Sequence, residues 1–380
     1  MAVVYSVGAP ALMYFALHLL AVLAADFKEK QEAEGGKLPI SFFNVSKGIA
    51  PWVSWVLEIA LIVTVFFSAI AYLIVAGQLV ASMMLDAKPA EGSPTLKSWE
   101  SSEWFIGAMT KIIIVAVLGV PCFFRNLSGM TIPNTIALVC LAFVVSIAVI
   151  KFDSTKLSKS EYDEIYTPKS FANTIKGIST FLFAFCCTPN LFSVANDMKN
   201  FTVRRLNTAS GSAIVTGIVL NSIAGFLPFM TFGRKSEDIF LNNFQQSGDI
   251  LILAARIACT YQVALTYLLV IHPLRDSVIG LIYRNGLPTG KEEVKIRYLV
   301  TGISILVTFG LSLLIKLDIV FSFAGLFGAN TLCFLVPCLL YCIRYPRSER
   351  PITWVLSAVL LLFSLALFPL GVYGIIKSVK

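Results

Sequence analysis

The sequence predicts an all-α polytopic membrane protein, and three observations predict it. Of its 380 residues 57% are apolar and only 14% charged, with a mean hydropathy of +0.80. A soluble chain carries roughly 25% charged and 45–50% apolar residues. The charges fall between long charge-free runs. All eight cysteines lie in or beside those runs, spaced like core residues, so no disulfide framework is expected.

A charged side chain at the bilayer centre costs ~2.5–3.5 kcal/mol on insertion scales, so charge-free runs mark the spans. The first covers residues 1–25. No Lys or Arg precedes Pro10, so it lacks the basic n-region of a signal peptide and reads as a retained helix. The second covers 59–85, with Glu58 at its interfacial start. The third covers 104–124 and is interrupted by Lys111, and the fourth covers 126–150. The fifth covers 177–196 and contains Pro189. The sixth covers 206–233, where Gly211, Ser212, Gly217 and Gly225 permit close helix packing. The seventh, 257–274, follows Arg256. The last three are 298–315, 319–343 and 351–376. Ten helices of ~20 residues take about 200 residues, which leaves short loops and no room for a soluble catalytic domain. Several runs exceed that length, so tilt or interfacial extension is expected.

The loops that begin at Asp26, Arg125, Asp197, Arg275 and Arg344 carry the larger share of Lys and Arg. By the positive-inside rule they face the cytoplasm, with both termini on the other side. The sequons at Asn44, Asn126 and Asn200 then also face the cytoplasm and stay unmodified. The net charge of +8 belongs to those loops. No solvated domain is available to carry a nucleic-acid patch. Two histidines, His18 and His272, on distant spans and no paired CxxC argue against a zinc or haem centre and against an intramembrane enzyme.

The fifth span differs from the others. It reads Phe183-Ala184-Phe185-Cys186-Cys187-Thr188-Pro189-Asn190-Leu191. Pro189 removes a backbone donor in mid-membrane and clashes with the preceding turn, and Thr188 and Asn190 flank it with hydrogen-bonding groups. Broken backbone at membrane depth is tolerated where protein buries it or where it lines a watery cavity. A simple proline kink and a discontinuous, substrate-holding helix both fit this string. Arg256 and Lys111 are read as snorkelling to an interface. Thr260, Gln262 and Thr266 line the seventh span. Threonine hydroxyls in membrane helices commonly bond their own carbonyls, with a ligand role as the alternative.

On these residues the chain resembles the amino acid/auxin permease family, especially its sodium-coupled neutral amino acid transporter branch. Phe183 to Lys199 is similar to the family's sixth helix, with Thr188 where many members have His and Asp197 where they have Glu. Ile70 to Leu79 resembles the third helix, and Pro121 to Leu127 the end of the fourth. Ala224 to Gly233 resembles the end of the seventh. Arg256 to Arg275 resembles the eighth, with Thr266 at a threonine position and Leu268 where proline is frequent. Phe321 to Tyr341 resembles the tenth, with Gly325, Gly328 and Pro337 in place.

The resemblance implies a leucine-transporter-type fold with an inverted repeat of five plus five helices. Residues 1–150 would form the remainder of the first repeat, 177–343 the second, and 352–376 an extra C-terminal helix. On this alignment the first span matches the family's second helix, so the first helix is expected to be missing or reduced to a stub over residues 1–8. An internal gene start, a rebuilt site and an inactive relative are the three explanations.

The function implied is secondary active transport of amino acids by alternating access, coupled to H+ or Na+, with no other cofactor. A non-transporting amino-acid sensor or scaffold subunit is the alternative. Cys187, Thr188, Pro189 and Asn190 would hold the zwitterion through freed carbonyls and amides, with the half-helix dipole favouring the carboxylate. Phe185 and Tyr72 are candidate pocket walls or gates, and Thr266 is the candidate ion ligand. No acidic residue lies in the broken segment, which favours a neutral over a cationic amino acid. The expected partners are the amino acid and the lipid bilayer, with no nucleic acid. The plasma membrane and an endolysosomal or vacuolar membrane are both open, and so is the oligomeric state.

Overall fold

The structure, a computed structural model, describes residues 2–35, 40–86, 103–124, 131–153, 170–244, 249–283 and 290–379. Arg125, the sequon at Asn126 and most of the loop between 151 and 176 lie outside the described residues. Helices account for nearly all the regular structure. They are α1 (Ala2–Ala33), the short α2 (Phe42–Ile49), α3 (Val53–Asp86), α4 (Glu103–Cys122) and α5 (Thr131–Ile150). A broken span follows, made of α6 (Phe171–Ala184), a 3₁₀ turn over Thr188–Asn190 and α7 (Leu191–Asp197). Then come α8 (Val203–Phe232), α9 (Ile250–Ile282) and α10 (Lys291–Leu314). The next span runs from α11 (Leu317–Phe323) through two π-helical stretches, Ala324–Ala329 and Thr331–Leu335, into α12 (Val336–Arg344). Helix α13 (Pro351–Val379) closes the chain.

Ten segments among the described residues are long and apolar enough to cross a bilayer, and they fall on the ten charge-free runs. Their outer faces are apolar. Ile132, Leu314 and Ile352 are 73%, 82% and 75% exposed, the arrangement that hydrocarbon rather than water stabilises. The chain is an integral, multi-pass membrane protein.

The helices form two units. The first comprises Met1–Thr64, Pro168–Val219 and Phe321–Lys380. Its core gathers Leu19, Leu20 and Leu23 of α1 with Leu182 of α6 and Phe192 of α7. Phe334 and Tyr341 of the π–α12 span complete it. The second comprises Val65–Thr167 and Leu220–Val320. In it α9 packs along α5, α4 and α10, and Leu79, Ile147, Leu241, Ile252 and Ala255 form a buried cluster.

Two expectations about charge are corrected in the second unit. Arg256 does not open its span, because α9 starts at Ile250 with Asp249 as its N-cap. Arg256 is 1% exposed and does not snorkel. Its Nη1 meets Asp86 Oδ2 at 2.5 Å, and its Nη2 donates to the Leu241 carbonyl at 3.1 Å. A buried guanidinium requires such a partner, since an unpaired charge in low dielectric is strongly disfavoured. Lys111 is also buried. Its stem crosses the bare backbone of Gly77, and its Nζ donates to the Ser312 carbonyl at 2.7 Å in the last turn of α10. That end of a helix carries unsatisfied carbonyls and partial negative charge, which suits a cation.

Candidate functional site

The break in the fifth span starts at the end of α6, ahead of the point where Thr188 and Pro189 redirect the chain into a 3₁₀ turn. Helix α6 ends at Ala184, and Phe185 adopts φ −100°, ψ 7° outside the helical well. The last ladder bonds are Phe185 N–H to the Phe181 carbonyl (3.2 Å) and Cys186 N–H to the Phe183 carbonyl (3.1 Å). Pro189 has no N–H to give the carbonyl four residues back, and its ring crowds that turn. Bonding resumes as a 3₁₀ turn, with Asn190 N–H on the Cys187 carbonyl at 3.2 Å and Leu191 N–H on Thr188. Between these two registers, the amides of Cys187 and Thr188 have no backbone partner among the described residues. Two peptide donors in this span are thus left without a backbone acceptor among the described residues.

The sides of the break are fixed by contacts within the first unit. Thr188 is fully buried. Its Oγ1 donates to Cys333 Sγ at 3.0 Å and lies 3.7 Å from Met13 Sδ of α1. Phe185 is buried in the core of this unit, whereas Cys187 and Pro189 are half-buried and Asn190 is exposed. The far half-helix is held by Asn196, whose side chain bonds Ile40 twice. Its Nδ2 donates to the Ile40 carbonyl at 2.7 Å, and its Oδ1 accepts the Ile40 amide at 2.9 Å. Phe42 packs edge-on against Phe192 at 4.4 Å.

Facing α6 is the π-helical span. A Cβ on Gly325 would lie 1.8 Å from the Ser179 carbonyl oxygen, and one on Gly328 would lie 2.2 Å from Thr64 Oγ1. Only glycine permits that approach to the Ser179 backbone and to Thr64. A π-bulge adds a residue to a turn and leaves its hydrogen bonding less uniform, a feature frequent at functional sites. Here Asn330, between the two π stretches, is tied to α13. Its Nδ2 donates to the Ser364 carbonyl at 3.0 Å, and its Oδ1 accepts from Ser364 Oγ at 2.9 Å.

The residues named from the sequence fall in both units. Phe185, Cys187, Thr188, Pro189 and Asn190 are brought together in the first. Tyr72, half-buried on α3, and Thr266, half-buried on α9, belong to the second. The Thr266 hydroxyl donates to the Gln262 carbonyl of its own helix at 2.7 Å, which leaves its oxygen lone pairs for another group. Both histidines have hydrogen-bonded neighbours. His18 Nδ1 lies 2.9 Å from Asn207 Nδ2, and His272 Nδ1 lies 3.1 Å from Arg275 Nη2. The sequence did not reveal Met13, Cys333, Asn196, Asn330 or Ser364, whose partners lie far along the chain. Gly325 and Gly328 were visible as members of a motif, though not as the contact with α6.

The profile described as "Transmembrane amino acid transporter protein" matches residues 1–377. The chain is 26% identical over 307 residues to vacuolar amino acid transporter 5 of Schizosaccharomyces pombe, covering 79% of this chain and 69% of that one. It is 24% identical over 322 residues to amino acid transporter AVT6A of Arabidopsis thaliana, covering 81% and 67%. It is also similar to sodium-coupled neutral amino acid transporter 4 of Homo sapiens, 27% identical over 195 residues, or 50% of this chain and 35% of that one. The matched stretches thus span from about a third to about two thirds of these relatives' lengths.

Proposed function

Since this chain belongs to the transmembrane amino acid transporter family, we propose that it carries a neutral amino acid across its membrane by alternating access, with the break at 185–190 as the substrate cradle. One observation carries the reading. The amides of Cys187 and Thr188 are freed at membrane depth beside a proline that no helix interior accommodates without cost. The two N–H groups suit a carboxylate, while the last carbonyls of α6 suit an ammonium. No acidic side chain lies in this segment to select a cationic substrate. The name of the human relative, a neutral amino acid transporter, agrees with that choice.

Phe185, in the same unit as the break, serves as a wall of the cradle, and Thr266 on α9 contributes an oxygen to a coupling Na+ in this reading. An H+-coupled cycle would dispense with Thr266. Binding energy comes chiefly from the charge-assisted hydrogen bonds, each worth ~1.5–3 kcal/mol. An amino acid converted to its carboxamide loses the charge, and it is expected to compete at least ten-fold more weakly.

The test is uptake and counterflow of radiolabelled alanine in proteoliposomes, with unlabelled alanine and alaninamide as competitors. Saturable counterflow, blocked by alanine and poorly by alaninamide, is the expected result. Binding without counterflow in a correctly folded sample would make the protein a sensor. Equal competition by the two would remove the carboxylate from the cradle.

A further inference from the structure

Sulfur is concentrated beside the break in a way that neither hydrophobic packing nor the proposed cradle requires. Cys333 Sγ, fully buried in the second π stretch, donates to Cys186 Sγ at 3.4 Å while accepting the Thr188 hydroxyl at 3.0 Å. Met13 Sδ lies 3.7 Å from the same hydroxyl. Cys186 and Cys333 are 147 positions apart in sequence and belong to the same unit. Both are free thiols. Cys186 sits outside regular helix, immediately before the freed amides, so its backbone is less constrained than a helical residue's. Cys333 is held in a π turn, a looser register than an α-helix. Two thiols already in hydrogen-bonding contact need to close by little more than an ångström to reach the ~2.05 Å of an S–S bond.

We propose that Cys186 and Cys333 form a thiol modification site, oxidised by a peroxide to a disulfide that fastens the break to the π-helical span. Cys186 is the half-buried member of the pair and the one a small peroxide reaches. Its sulfur takes one oxygen from the peroxide, giving the sulfenic acid (S–OH), and one water leaves. The Cys333 sulfur then attacks the Cys186 sulfur. The S–S bond forms, the S–O bond breaks, and the departing hydroxide takes the Cys333 proton as a second water. The two thiols together lose two electrons, and the peroxide is reduced to two waters.

Closure draws residue 186 towards the π span and removes the thiol proton that joined the sulfurs. The Thr188 hydroxyl then faces a disulfide sulfur in place of the thiol to which it donated. Through Cys187 and Thr188 the displacement reaches the two freed amides. The consequence for uptake therefore rests on the transport reading above, whereas the cross-link itself does not. Displacing these amides from the substrate's carboxylate weakens charge-assisted hydrogen bonds, so oxidation is expected to lower uptake about ten-fold or more.

The experiment uses the full chain in proteoliposomes. It is treated with hydrogen peroxide, alkylated with N-ethylmaleimide and digested without reductant for mass spectrometry, with uptake measured in parallel. The expected result is a peptide pair joining Cys186 to Cys333 that dithiothreitol separates, with uptake lost and regained in step. Cys186→Ser and Cys333→Ala, each compared with itself before and after peroxide, should show no cross-link and no peroxide-dependent change. A Cys186–Cys187 disulfide, a sulfinic acid at Cys186 without cross-link, or undiminished peroxide sensitivity in both variants would overturn the proposal. If the reduced protein takes up no amino acid, the transport reading fails, and the mass measurement still decides the cross-link.

Discussion

Replacing Gly325 by alanine tests the contact that sets the π-helical span against α6. The added Cβ would stand 1.8 Å from the Ser179 carbonyl oxygen, 2.5 Å from its carbon and 3.2 Å from its Cα. Ordinary carbon contacts lie at ~3.5–4.0 Å. The obstructing atoms are backbone, so no side-chain rotation relieves the overlap, and one of the two helices must retreat by more than an ångström. Overpacking of this kind costs about 1–3 kcal/mol. In a helix interior the same exchange is otherwise favourable by up to ~1 kcal/mol, because alanine restricts the unfolded chain. Gly310 on α10 has nothing within 4 Å of its Cβ position and serves as the control. Thermal unfolding in detergent, followed by the protein remaining in the monodisperse peak, reads both. Gly325→Ala should melt several degrees below wild type, and Gly310→Ala at or slightly above it. Identical midpoints for wild type and Gly325→Ala would refute the close approach and with it the placement of the π span.

Other perturbations address separate parts of the molecule. Arg256→Met leaves Asp86 without its guanidinium, and Asp86→Asn leaves the buried Arg256 without a counter-charge. Each should cost about 3–5 kcal/mol, whereas the joint Arg256→Met/Asp86→Leu variant should recover most of the loss in the same melting assay. Asn330→Ala and Ser364→Ala should each destabilise by about 1–3 kcal/mol by orphaning the buried partner, and the double variant should be no worse than the worse single one. Outside the spans, the hydrogen bond from Lys151, joined by the Leu251 amide, holds the Asp249 carboxyl below its ordinary value. That stabilisation is complete above the unfolded value of ~3.9 and fades as pH falls through the lower folded value. The difference in melting point between wild type and Asp249→Asn, which keeps a capping oxygen, should be constant from pH 8 to 5 and shrink below about pH 4.

Much of the fold was legible because the bilayer applies a harsh filter to charge. Where a run of some twenty residues has none, a span follows, and the ten runs coincide with the ten helical segments. The filter erred where a charge is neutralised by a residue it cannot see. Arg256 sits inside α9 because Asp86, 170 positions away, pairs with it, and Lys111 is accommodated by a helix-end carbonyl 201 positions away. The break was legible because Pro189 acts locally, through the N–H it lacks. The π-helical register was not, since nothing within 324–335 forbids an α-helix. There the irregularity accompanies packing against Ser179 and Thr64. The sulfur cluster likewise leaves no local trace, because Met13 and Cys333 reach the Thr188 hydroxyl, and Cys333 reaches Cys186, only once the first unit has assembled.

The central claim is that an amino acid is held by backbone freed at the break, and Pro189→Ala tests it most directly. Alanine restores the missing N–H and removes the ring clash, so the helix can close across 185–190 and withdraw the amides of Cys187 and Thr188. Equilibrium binding of radiolabelled alanine to the purified protein, with melting measured alongside, should show affinity reduced at least ten-fold in a variant that melts at or above the wild-type temperature. Unchanged affinity in a well-folded Pro189→Ala protein would contradict the account and place the substrate elsewhere.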